Sequence, residues 1–204
     1  MIKEQKRYLN KGTVYLKRPD TPFLIKDLKI LEHCCEEVKK EFIKIGDAGE
    51  PNHLWVGRFM SDKDRPRLLN KKLANKVIEI LNSQKVKDFV KKVINYSDNI
   101  YVRRIQYNKI EENCFIGHHL DTDSNPDYLC ACVIQLGKKY SGGYYRVYQK
   151  NKSFIDYKSD YQSLIISDCN FPHEVTKVLK GSRQSLVFFF SNHSKKNRRR
   201  ENEL

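Results

Sequence analysis

The sequence predicts an α+β fold in which N-terminal helices buttress one face of a sheet. Two observations carry this. In the first half, apolar residues recur at three- and four-residue steps, the period of an amphipathic helix. From residue 100 the period shortens, and short runs of β-branched and aromatic residues alternate with glycine-bearing turns. Helices first and strands second is the order expected of helices laid on one side of a sheet, and short strands at this spacing imply a sandwich or barrel.

Taken in order, Gly12 to Arg18 reads as a short strand. From Asp27, the stripe Leu28, Leu31, Cys35, Val38, Phe42 and Ile45 predicts one helix ending near Gly46. Residues 47–68, rich in Gly, Pro, Asp and Arg, read as a loop anchored by Trp55 and Phe59. A second helix is predicted from Lys71 to Leu81. A third follows with Ser83 as N-cap and Val86, Phe89, Val90, Val93 and Ile94 on its apolar side. Strands are predicted at 100–107, 128–136, 144–149, 162–167, 173–179 and 183–190. The chain then divides, as a single domain over 1–204, into mainly helical support with loops (1–98), a strand core (99–191) and a basic tail (192–204).

Composition sets the limits. With 204 residues the chain should bury roughly 70% of its unfolded surface, enough for a core without staples. Twelve Tyr and ten Phe are too many for a disordered chain, and 31% charged residues too many for a membrane bundle. No run approaches the ~20 apolar residues of a spanning helix, and the stretch after Met1 lacks an apolar signal region. A cytoplasmic location with reduced thiols is therefore expected. The six cysteines form no CxxC pair, so a zinc site is not expected; Cys130 and Cys132 read as core. The net charge of +14 attracts nucleic acid, anionic lipid or acidic protein without choosing among them. The tail KKNRRR, Lys195 to Arg200, reads most simply as a solvated end.

The chemistry-bearing residues lie in the strand half. In HHLD, residues 118–121, a strand would place His119 and Asp121 on one face and His118 with Leu120 on the other. An imidazole and a carboxylate on one face can chelate a metal ion, and His173, after Phe171-Pro172, is the candidate third ligand. Two imidazoles and one carboxylate on one side of an iron form the facial triad of non-heme Fe(II) oxygenases. A lone His-x-Asp is usually only a polar surface pair. Arg183 changes the balance. In RQSLVFFF it shares a strand face with Ser185, Val187 and Phe189. A buried Arg requires a partner, and its planar fork suits a carboxylate, whether of an internal Asp or Glu or of a ligand.

The order His119-x-Asp121, His173, Arg183, with YSGGYYRVY and DCNFPHEVTKVLKGSRQSLVFFF around it, resembles the iron(II)/2-oxoglutarate-dependent oxygenase superfamily, and most closely its prolyl-4-hydroxylase-like branch. The resemblance covers Ile100 to Ser191. It implies a double-stranded β-helix, or jelly-roll, core with iron inside one end. Carried over, it implies His119, Asp121 and His173 as metal ligands and Arg183, with Ser185 beside it, as the clasp for 2-oxoglutarate. Tyr107 would be a tyrosine that hydrogen-bonds the cosubstrate. The implied reaction is hydroxylation of an unactivated C–H bond by Fe(II), 2-oxoglutarate and O2, releasing succinate and CO2, with ascorbate as a candidate reductant. The substrate would be a peptidyl residue such as proline, or a small amino-acid-like or sugar metabolite.

Two departures refine this. Collagen-type prolyl hydroxylases usually carry Lys where this chain has Arg183, which points to broader relatives. Halogenases of the family replace the carboxylate that Asp121 supplies here, so hydroxylation is favoured. Alkylated-base repair oxygenases typically carry a second arginine where Phe189 stands, so nucleic acid is not the favoured substrate. The competing reading is a non-catalytic basic binding module on a jelly-roll scaffold, taking nucleic acid or an acidic partner. Its clearest feature is the aromatic and basic interleaving of Tyr144 to Lys152. Adjacent Arg103 and Arg104 face opposite ways on their strand, so one of them faces the pocket.

Overall fold

The computed structural model describes residues 3–62 and 66–192. The helices are α1 (Lys3–Lys11), α2 (Ile25–Glu37), α3 (Lys71–Leu81), α4 (Gln84–Ile94) and the one-turn α5 (Asp121–Ser124). Strands β1 (Thr13–Leu16), β2 (Lys40–Ile45), β3 (Pro51–Asp62) and β4 (Pro66–Leu68) come from the first half of the chain. The second half supplies β5 (Tyr101–Ile110), β6 (Ile116–His119), β7 (Tyr128–Gln135), β8 (Tyr140–Gly142), β9 (Tyr145–Tyr148) and β10 (Phe154–Tyr157). It ends with β11 (Leu164–Asp168), β12 (His173–Val175), β13 (Val178–Gly181) and β14 (Arg183–Ser191). The tail KKNRRR lies outside the described residues. None of the described helices is long and apolar enough to cross a membrane.

The strands pair antiparallel in the order β1-β11-β7-β14-β5-β3-β6-β12-β9-β10, with β2 and β4 added to β3, and β8 paired with β13. Strand β3 joins the two layers: Trp55 to Met60 lie along β5, and Asn52 pairs with Ile116 of β6. This nearly closed antiparallel sheet with helices on one side is a double-stranded β-helix.

Alternation on β14 divides the molecule into two cores. Leu186, Phe188 and Phe190 pack toward the helices with Leu28, Leu31, Val77 and Val90. Val187 and Phe189 point into the barrel with Leu54, Val56, Val147 and Val175. At about 25 cal/mol per Å2 of apolar surface, each buried Phe or Leu contributes roughly 1.5–3 kcal/mol, so both faces of β14 matter to stability.

The first half departs from the sequence reading. Helix α2 stops at Glu37 rather than near Gly46, and Val38 is extended at φ −63, ψ 136. KEFIKI then pairs with β3, Phe42 opposite Trp55. Its apolar residues fit either period, and strand pairing decides the outcome. Residues 47–68, expected as loop, hold the hairpin turn and the whole of β3, with Asn52, Leu54 and Val56 buried in alternation. Phe59 is an anchor as expected, fully buried, whereas Trp55 is 36% exposed and donates Nε1–H to Glu111. Ser83 occupies the N-cap of α4, but its side chain makes no capping bond. The 173–179 strand is two strands, β12 and β13. Arg146, within the aromatic and basic hairpin, is engaged by Asp156 and Glu174 and lies 3.9 Å from the Phe154 ring centroid.

Candidate metal centre and its cavity

Strands β6 and β12 pair so that His119 lies directly across from His173, ring centroids 4.3 Å apart. Asp121 does not continue the strand as expected. Leu120 is extended and Asp121 opens α5, which turns its carboxylate back between the two rings. His119 Nε2 is 3.5 Å from Asp121 Oδ1, and His173 Nε2 is 3.6 Å from Oδ2. One ligand atom from each residue lies within 4.8 Å of the others, a grouping that could hold a metal ion. His118 is exposed and stacks edge-on against Tyr148.

Both tautomers are fixed by the backbone. His119 Nδ1–H donates to the Gly117 carbonyl at 2.8 Å and His173 Nδ1–H to the Phe171 carbonyl at 3.0 Å. A carbonyl only accepts, so each Nδ1 carries the proton and each Nε2 presents a lone pair to Asp121. Asp121 Oδ2 is buried without a hydrogen bond. Two lone pairs facing a buried carboxylate want a cation between them, so the donor set fits a divalent metal.

The electrostatics agree. Burial disfavours ionised Asp121, but His173, His119 and Arg104 outweigh it and hold the carboxyl below its ordinary range. Burial also disfavours imidazolium at His119, where Asp121 and the Gly117 carbonyl prevail and raise the pKa. At His173 burial wins and the pKa falls.

Arg183 lies in the same cavity, 1% exposed. Its Nη1 donates to Ser185 Oγ at 3.3 Å, while Nε and Nη2 have no partner. No acidic residue among those described forms an ion pair with it, and burial lowers its pKa. Gly143, at φ +59, leaves it room: a Cβ there would crowd Val178 and the Arg183 stem. The buried Tyr145 hydroxyl also makes no hydrogen bond, and its ring stacks on His173 at 5.1 Å.

The cavity measures about 730 Å3 with its open mouth. Arg104, Gln106 and Asn108 of β5 form one wall, linked side chain to side chain by Arg104 to Gln106 Oε1 at 2.6 Å and Gln106 to Asn108 Oδ1 at 2.9 Å. The turn between β2 and β3 brings Asp47 and Glu50 to the rim, and Asp47 Oδ2 sits 2.6 Å from Arg104 Nη2. Arg104 is thus the arginine that faces the pocket. Arg103, at a bulge in β5, pairs with buried Asp62.

Ser185 stands on the cavity wall beside Arg183. Tyr107 requires a correction. It lies on the opposite face of β5, within the helix-side core, where its hydroxyl donates to Gln184 Oε1 at 2.8 Å. From there it cannot reach the cavity. Tyr145, Glu50, Asn52, Gln106 and Asn108 line the site and went unread in the sequence. For Gln106 and Asn108 the signal was the alternation of polar residues 104, 106 and 108 with apolar 105 and 107.

Residues 105–191 match the 2OG-Fe(II) oxygenase superfamily. A search of curated proteins returns no match. Among solved structures, the chain is similar to an oxidoreductase of the 2OG-Fe(II) oxygenase family from Burkholderia pseudomallei, at 29% identity and TM-score 0.87, covering 96% of this chain and 93% of that one. It shares its fold with a prolyl-4-hydroxylase from Pseudomonas putida (12% identity, TM-score 0.65, 93% and 97% covered). It also shares it with the alpha-ketoglutarate-dependent epimerase SnoN from nogalamycin biosynthesis (6%, 0.68, 92% and 80%). The sequence match falls on the strands that build the cavity, the likeness in structure runs nearly the full length of the chain, and the matched family works with Fe(II), 2-oxoglutarate and O2.

Proposed function

We propose that this protein is an Fe(II)/2-oxoglutarate-dependent dioxygenase that hydroxylates an unactivated C–H bond and releases succinate and CO2. One observation carries the reading: a buried set of two imidazoles and a carboxylate shares its cavity with a buried guanidinium whose Nε and Nη2 are unpaired. His119, Asp121 and His173 would hold the iron, and the carbonyls of Gly117 and Phe171 keep both rings in the ligating tautomer. Arg183 would clasp the distal carboxylate of 2-oxoglutarate by charge-assisted bonds, with Ser185 Oγ fixing the plane of its fork. Tyr145 replaces Tyr107 as the tyrosine offered to the cosubstrate. Val133, Val187 and Phe189 line the interior and exclude water. When bound, the iron and its cosubstrate supply the oxidising power for cleaving the C–H bond.

The substrate is a peptidyl residue such as proline, or a small amino-acid-like or sugar metabolite. The polar wall of Arg104, Gln106 and Asn108 supports a polar molecule, and the shared fold of a prolyl-4-hydroxylase supports a peptidyl one. The cytoplasm is the proposed location, in keeping with free cysteines. Anaerobic addition of Fe(II) and 2-oxoglutarate tests the assignment. A visible charge-transfer band is expected in the wild-type protein and not in His119→Ala; its absence from both rejects the reading. Mass spectrometry of candidate substrates then separates hydroxylation, which adds one oxygen atom with matched succinate, from an isomeric product of epimerisation.

A further inference from the structure

Five charged residues besides the histidines line the cavity: Asp47, Glu50, Asp121, Arg104 and Arg183. Asp47 and Arg104 neutralise each other in a 2.6 Å ion pair. A divalent metal balances the two charges of 2-oxoglutarate, and Asp121 balances Arg183. With the histidines neutral on the metal, one negative charge is left, and it belongs to Glu50.

Glu50 is built into position. Its Oε1 accepts from Asn52 Nδ2 at 2.7 Å and its Oε2 from the Ala48 amide at 3.1 Å, both neutral donors. No ion pair among the described residues reaches it. The Gly46 amide donates to the Glu50 carbonyl at 2.8 Å, and a Cβ at Gly46 would collide with the Glu50 carboxylate, so glycine here allows the side chain to curl into the turn. Its side chain lines the same cavity as His119, Asp121 and His173. A chain of net charge +14 repels cations at long range. A lone carboxylate at the rim of its reaction cavity therefore acts locally, by selecting what is admitted.

We propose that Glu50 is a specificity-determining residue that receives a cationic group of the substrate, so that the substrate class is an amine- or guanidine-bearing molecule or side chain. This rests on the iron and 2-oxoglutarate reading above.

The test loads the full chain with Mn(II) and 2-oxoglutarate. It then measures, by NMR, the relaxation that the bound Mn(II) imparts to three probes of one size: n-butylammonium, n-butanol and butyrate. Butylammonium should relax about fivefold more than the other two, the factor that roughly 1 kcal/mol of partly screened attraction supplies. Glu50→Gln should reduce it to the butanol value, and Glu50→Asp should retain part of the preference, with unchanged thermal unfolding in both. Equal or greater relaxation of butanol or butyrate, a preference that survives Glu50→Gln, or no relaxation of any probe would overturn the proposal. Failure of the underlying reading looks different: Mn(II) is then not held by the wild-type protein, or is held equally by His119→Ala.

Discussion

His119 and His173 face each other across the β6–β12 ladder, and each donates its Nδ1 proton to the carbonyl two residues before it, Gly117 and Phe171. The pair is thus locked, with both Nε2 lone pairs toward Asp121, before any ion arrives. Pre-organised donors cost less to order on binding.

Replacing either histidine by Ala should abolish tight Fe(II) or Co(II) binding, measured by metal titration. His118→Ala, whose ring lies outside on Tyr148, should leave metal affinity within about twofold, less than the roughly 0.5 kcal/mol scatter of surface substitutions. Equal losses at 118 and 119 would contradict the assignment.

Arg183 sets function against stability. Its unpaired guanidinium carries a desolvation cost in the ligand-free protein, so Arg183→Met should raise the unfolding free energy by roughly 1–3 kcal/mol. For a chain of this size that is about 2–4 °C in Tm per kcal/mol. Arg183→Ala should raise the 2-oxoglutarate requirement about 10- to 100-fold, as expected for charge-assisted bonds of roughly 1.5–3 kcal/mol. An unchanged requirement would remove Arg183 from the cosubstrate site.

Tyr145→Phe deletes a hydroxyl that has no hydrogen bond in the protein. Stability should hold or rise slightly. The 2-oxoglutarate requirement should rise about fivefold, near the ~1 kcal/mol of one hydrogen bond. Tyr107→Phe removes the bond to Gln184 and should not change that requirement.

Asp62 accepts from Arg103, Asn125 Nδ2 and the Tyr128 hydroxyl, and its side chain is 1% exposed. Asp62→Ala breaks a buried ion pair and should cost about 3–5 kcal/mol in urea unfolding. Because Asn125 follows α5, metal affinity should fall with it.

What the sequence disclosed depended on whether one face of an element was polar for a reason visible locally. Strand β14 was legible because Arg183 and Ser185 interrupt an apolar run in strict alternation. On β5 the polarity is inverted: Arg104, Gln106 and Asn108 point into the barrel, while Ile105 and Tyr107 point outward to the helices. A strand buried on both faces gives no outside reference, so Tyr107 was assigned to the wrong side. The bulge at Arg103 shifts the phase once more. The end of α2 was hidden because Val38, Phe42 and Ile45 satisfy a helical spacing, and only pairing with β3 shows otherwise. Glu50 could not be found from its neighbours, because its meaning lies in charges contributed by distant strands.

Strand β2 bonds only to β3, so the hairpin that carries Asp47 and Glu50 hangs from the rim of the sheet, whereas the residues proposed to hold the metal stand on β6, α5 and β12. Recognition and reactivity are therefore separable modules. On the proposed function, insertions or exchanges in the tip at residues 46–50 should alter substrate choice while leaving metal binding intact, and divergence among relatives should concentrate there first.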